Sequence, residues 1–181
     1  AIRLPQGVFV DPFNGLQDLI EGTIRTPGKP EDSFSDDPLR IMRAARFAAQ
    51  LEFLIHEDTF KAMKEMANRL EIVSAERIQV EFTKLLLAKQ PREGIEVLVD
   101  AGIAELIIPE IPALKLEVDE HHHHKDVYEH SLKVLEQAIS YENEYGLENN
   151  IVLRLAALLH DIGKPQTRKL ESGGGVTFYH H

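Results

Sequence analysis

From Pro38 onward the apolar residues recur with the 3.6-residue period of an α-helix, and that period is kept through most of the chain. Ile41, Ala44, Ala45, Ala48 and Leu51 share one face, and Ser35 to Pro38 offers caps followed by a first-turn proline, which predicts a helix over 37–52. The same reading places helices at about 57–69, at 75–88 with Ser74 as N-cap, at 92–101 ended by Gly102, and at 104–107. Pro109 and Pro112 close that block. Helices at about 126–144 and 150–162 follow, the second ended by Gly163 with Pro165 beyond it. The expected fold is all-α.

Only the two ends depart from it. Short alternating apolar residues from Ile2 to Val10 flank a Pro5-Gln6-Gly7 turn and predict a strand pair, a β remnant. Leu16, Leu19 and Ile20 give a short helical face before Gly22. The Pro-, Ser- and Asp-rich "TPGKPEDSFSDDP" is expected to be a loop or linker, and "RKLESGGGVTFY" a β-hairpin. The 181 residues are enough for one or two domains. The absence of cysteine leaves only His, Asp and Glu as strong metal ligands. A net charge of -10 opposes wholesale nonspecific nucleic-acid binding but leaves room for a local basic patch. No run approaches the roughly 20 apolar residues of a membrane span, so no membrane partner and a cytoplasmic location are expected. The chain opens mid-pattern without Met, the look of a piece of a longer protein.

In "DDPLRIMRAARF", Arg40, Arg43 and Arg46 recur every three residues along one helix side, with Asp36 and Asp37 at its N-terminus. An Asp and an Arg one turn apart present acceptors and donors together, which suits the Watson–Crick edge of a base, and further arginines suit phosphate or sugar oxygens. The same spacing also fits a solvated face laced with ion pairs. The order and spacing of three stretches, "FVDPFNGLQDLIEGTIRTPG", "SDDPLRIMRAARFAAQLEF" and "SAERIQVEFTKLLL", resemble the bacterial CCA-adding tRNA nucleotidyltransferase and poly(A) polymerase family. The resemblance implies that Asp37 and Arg40 pair with an incoming CTP or ATP base and that Arg43 and Arg46 are further nucleotide-binding residues. Position 36, usually Glu in that family, is Asp here. Asp11 and Asp18 fall at matched positions of the catalytic head and are expected to be structural. The head's paired metal-binding aspartates have no counterpart in this chain, so the Mg2+ they would hold belongs to an absent part.

Five histidines crowd residues 118–130, and "LLHDIGKP" ends a strongly apolar helix with His160 and Asp161. Ending an apolar helix in His-Asp is costly unless the pair is hydrogen-bonded in the core or ligated. The series His130, then His160-Asp161, then "FYHH" resembles the HD phosphohydrolase superfamily, an all-helical group whose metal activates water against phosphate esters. The resemblance implies metal ligands at His130, His160 and Asp161, with His124 and His181 as possible further members of the site. The metal is Mg, Mn, Ni, Fe or Zn on ligand type alone.

Together the resemblances divide the chain into a head remnant (1–28), a helical neck and RNA-binding body (29–115) and the N-terminal part of an HD domain (116–181). The implied function is base selection and RNA binding within an enzyme that adds CCA, or A alone, to tRNA 3′ ends, with tRNA, CTP and ATP as partners. Two alternatives stand beside it: a metal-dependent phosphohydrolase acting on nucleotide or cyclic phosphodiesters, and a noncatalytic helical RNA-binding module.

Overall fold

The structure, a computed structural model, describes residues 2, 3, 5, 7–116, 127–147, 149–170 and 176–178. Helices dominate it, as the apolar period requires. β1 (Ile2–Arg3) and β2 (Val8–Phe9) form an antiparallel pair, followed by α1 (Gly15–Glu21). Asp11 caps α1 by accepting the backbone N–H groups of Gly15 (2.9 Å) and Leu16 (2.8 Å), and these bonds hold its carboxyl below the usual value. That is the structural role expected of it. Asp18 pairs with Arg25 at 3.1 Å. None of the α1 side chains is buried, and Phe13, Leu16, Leu19 and Ile20 are all at least half exposed.

β3 (Thr23–Ile24) comes next, then α2 (Pro30–Asp36), which occupies part of the stretch expected to be a loop. Pro30 pre-sets the first helical residue, Glu31 and Asp32 complement the first turn, and the fully buried Phe34 anchors the helix. α3 (Leu39–Leu51) starts two residues later than expected. The reason is Pro38: the residue before a proline is driven out of the helical region, and Asp37 is extended at φ −144°, ψ 99°. Its carboxylate instead accepts the N–H of Leu39. β4 (Leu54–Ile55) then pairs in parallel with β3, a ladder not foreseen from the sequence.

α4 (Glu57–Glu65) runs into a 3₁₀ turn at Ala67–Ile72, where one longer helix was expected. α5 (Ala75–Leu86), α6 (Pro91–Asp100), α7 (Ala104–Ile107) and α8 (Glu110–Ala113) complete the first bundle, and a 3₁₀ turn at Leu114–Leu116 follows. α9 (Val127–Tyr145) and α10 (Ile151–Leu159) pack as an antiparallel pair. α11 (Lys164–Thr167) leads into the hairpin of β5 (Arg168–Leu170) and β6 (Val176–Phe178), as expected.

The core forms where α3 lies against α5 and α6. Ile41 and Met42 are fully buried on α3, each contributing about 1.5–3 kcal/mol. Ala44, Ala45, Ala48 and Ala49 are buried there too, and their small size lets α6 come close. Gly94 marks that approach: a Cβ there would lie 2.9 Å from Leu85 Cγ and 3.0 Å from both Ala45 O and Ala49 Cβ. Among the described residues no helix is long and apolar enough to cross a membrane.

Candidate functional site

Burying the apolar face of α3 turns its arginines outward, toward α2 and α5. Arg40 donates from one guanidinium nitrogen to Ser33 O (3.2 Å) and Ser33 Oγ (3.0 Å), tying the start of α3 to α2. Arg43 lies 3.6 Å from Asp37 and 3.8 Å from Glu81. Arg46 donates to Glu81 at 2.8 Å and to Gln50 at 2.6 Å, and stacks over Phe47 at 4.2 Å. Asp37 also accepts from Arg77 of α5 at 3.2 Å. Each charged group expected to meet a nucleotide thus already has a partner within the protein.

Beside this lattice opens a cleft of about 330 Å³. Ser33, Arg40, Arg43, Phe47, Thr59 and the Ile24–Pro27 strand exit line it, whereas Asp37 and Arg46 do not. The buried hydroxyl of Thr59 has no hydrogen-bond partner among the described residues. The structure therefore brings Arg40 and Arg43 to one cavity, sets Asp37 at the adjoining helix break, and engages Arg46 in the α3–α5 joint.

Two members of the lattice escaped the sequence reading. Glu81 is a carboxylate in an apolar helix, and Arg77 stands in "SAERIQVEF" with nothing to mark its partner 40 residues upstream. Burial pushes the Glu81 carboxyl up, but the bond and charge of Arg46, helped by Lys84, outweigh it and leave the carboxyl below its ordinary value.

The second cluster lies where α9 meets the end of α10. Residues 160–163 turn off the helix instead of continuing it, so His160 and Asp161 are not constrained to the roughly 100° separation of neighbours on one helix. Asp161 is buried and its Oδ2 lies 3.1 Å from His160 Nε2 and 3.9 Å from His130 Nε2. One ligand atom from each residue lies within 4.8 Å of the others. The His160 Nδ1 is 2.9 Å from Ala157 O; a carbonyl only accepts, so Nδ1 donates there and Nε2 is the nitrogen turned toward Asp161. That backbone anchor is the outer support typical of a ligating imidazole. Two imidazoles and a carboxylate so arranged fit a divalent cation. Lys164 joins them, its Nζ 2.9 Å from Asp161 Oδ2. The expected further members His124 and His181 lie outside the described residues.

The two regions touch through α5. Arg154 of α10, only 6% exposed, donates to Leu86 O (2.8 Å) and Ala88 O (2.9 Å) at the α5 C-terminus, and to Glu142 of α9 at 2.7 Å. Arg92 of α6 adds a second tie, donating to Glu129 of α9 at 2.6 Å.

Comparison with known proteins matches both regions. Residues 52–114 match the family described as the probable RNA and SrmB-binding site of polymerase A, and residues 127–181 match the HD domain. The chain thus joins a helical region that matches the first family to a region that matches the HD domain. A multifunctional CCA protein of Neisseria meningitidis is 39% identical over 165 residues, 89% of this chain and 37% of that protein. A solved tRNA-processing enzyme with CTP aligns at TM-score 0.66 and 26% identity, over 87% of this chain and 42% of that one. A tRNA nucleotidyltransferase complexed with a primer tRNA and an incoming ATP analog aligns at TM-score 0.65 and 28% identity, over 86% and 43%. The chain belongs to the CCA-adding tRNA nucleotidyltransferase and poly(A) polymerase family. It spans about two fifths of the length of the relatives it matches.

Proposed function

We propose that this chain supplies base selection and RNA grip within an enzyme that adds CCA, or A alone, to the 3′ end of tRNA, using CTP and ATP. The observation that carries this reading is the α2–α3 break, which sets Asp37 one turn from Arg40 beside the cleft that Arg40 and Arg43 line. A carboxylate offers acceptors and a guanidinium offers donors, so the pair matches the donor–acceptor edge of a cytosine or adenine. Arg43 is positioned for sugar or phosphate oxygens, and Arg46, held by Glu81, keeps α3 in register with α5. Residues 29–115 act as neck and RNA-binding body, residues 1–28 as the rim of a catalytic head, and residues 116–181 as part of the HD domain. Phosphoryl transfer belongs to that head and its Mg2+.

In the whole enzyme, Asp37→Ala and Arg40→Ala should each lose about 1–3 kcal/mol of discrimination between CTP or ATP and the other nucleotides. Single-turnover addition to tRNA lacking its 3′ end measures this. Unchanged discrimination in both variants would overturn the base-pairing role.

The convergence of His130, His160 and Asp161 favours a second activity, hydrolysis of nucleotide or cyclic phosphodiesters. These three residues would hold the cation, with Mg, Mn, Ni, Fe or Zn as candidates. Bound there, a divalent ion supplies Lewis-acid activation of water. The His160 ring is pre-set for this by its bond to Ala157 O, and Asp161 supplies the negative charge. Loss of phosphodiester hydrolysis in His160→Ala and Asp161→Ala, with nucleotide addition retained, is the expected result.

A further inference from the structure

Within the His-Asp cluster three groups converge on one oxygen. Asp161 Oδ2 faces His160 Nε2 at 3.1 Å and His130 Nε2 at 3.9 Å, and the ammonium of Lys164 approaches the same oxygen at 2.9 Å, closer than either imidazole. The Lys164 side chain is 15% exposed, less than the 34% and 35% of the two histidines, so the cation is drawn into the cluster and not held at its rim. Its backbone is fixed as well. Lys164 N–H donates to Asp161 O at 3.0 Å, which ties the lysine to the aspartate through the turn. The ammonium therefore leaves Oδ2 by rotation of its own four-carbon stem, while the turn keeps its backbone in place.

We propose that Lys164 is the internal counter-cation of this site, holding the Asp161 oxygen that a divalent ion shared with His130 and His160 requires, so that the ion enters by exchanging one cation for another. The proposal rests on the metal-centre reading above. An ordinary carboxylate ligand needs only to shed water. Here the incoming ion must also displace an ammonium and tolerate its charge nearby, which weakens binding and restricts the site to ions of high charge density or strong affinity for imidazole. The same lysine steadies the cluster before the ion arrives, because a buried carboxylate needs a cation close by.

The test uses the whole protein, stripped by chelation and titrated with Mn2+ by calorimetry, with thermal unfolding of both forms as a second readout. Lys164→Met should bind Mn2+ about tenfold or more tightly than the unmodified protein. Its metal-free form should melt lower while gaining more on adding Mn2+. Lys164→Arg, which keeps the charge, should bind no more tightly than the unmodified protein. A structural lesion would weaken binding and could not produce this pattern; Lys164→Gln serves the same purpose should the Met variant fold poorly. Mn2+ affinity in Lys164→Met and Lys164→Gln equal to or below that of the unmodified protein would overturn the proposal and leave the metal centre standing. Should none of these proteins bind Mn2+ better than His160→Ala, the metal-centre reading falls, and this proposal with it.

Discussion

The arginine cleft and the His-Asp cluster solve the problem of concentrated charge in opposite ways. Around α3 the charges form a lattice: Asp37, Glu81, Arg43, Arg46 and Arg77 each neutralise neighbours on other helices, at the edge of an open cleft. At the α10 end, three cationic or imidazole groups converge on one buried carboxylate oxygen. A lattice can lend a partner to a ligand and keep most of its pairs, so it suits reversible contact with several nucleotides. A convergent site has a single focus, and it suits one ion that must displace the resident ammonium.

The sharpest way to break this contrast is at the joint between the regions. Arg154→Ala leaves Glu142, 1% exposed, without its cation and should cost about 3–5 kcal/mol in urea unfolding. Replacing both, as Arg154→Met with Glu142→Leu, should recover most of the loss. A loss confined to the α9–α10 region, with α3–α6 still protected from hydrogen exchange, would show that the regions unfold separately. Gly94→Ala comes next. Its Cβ meets Leu85, Ala45 and Ala49 at about van der Waals overlap, so overpacking should cost about 1–3 kcal/mol and shift α3 against α6. Nucleotide affinity should fall while Mn2+ affinity does not, as measured by titration of each.

Glu81→Gln is the mildest probe and reads the lattice alone. The Glu81 carboxyl is held below its ordinary value in the folded state, so its ion pairs stabilise above the usual carboxylate range and are lost as pH falls through the folded value. The unmodified protein should therefore lose stability on acidification below the usual carboxylate range, and Glu81→Gln should flatten that limb. Melting temperature against pH checks it; an unchanged acid limb would mean that Glu81 contributes nothing there.

Much of this architecture is legible in the sequence because buried positions on α3, α5, α6, α9 and α10 repeat with the helical period. α2 is not legible: its seven residues carry one apolar anchor, Phe34, amid Pro, Ser and Asp. Nor is the β3–β4 pair, whose two rungs join residues 31 positions apart. At the sites, His130, His160 and Asp161 announce themselves as polar groups on apolar helices. Arg77, Glu81 and Arg154 do not, because ordinary helix charges acquire meaning only from partners that folding brings to them.

The parallel ladder has a mechanical consequence. Leu54 N–H donates to Gly22 O at 2.9 Å and His56 N–H to Ile24 O at 3.0 Å, so the segment carrying α2 and α3 enters and leaves the structure at neighbouring points. A pull along the chain from α1 toward α4 is borne by those two bonds in shear and bypasses the segment between them. Load reaches the arginines through the packing of α3, which is most extensive against α5 and α6, so their setting answers more to compression from those two helices than to tension from α1.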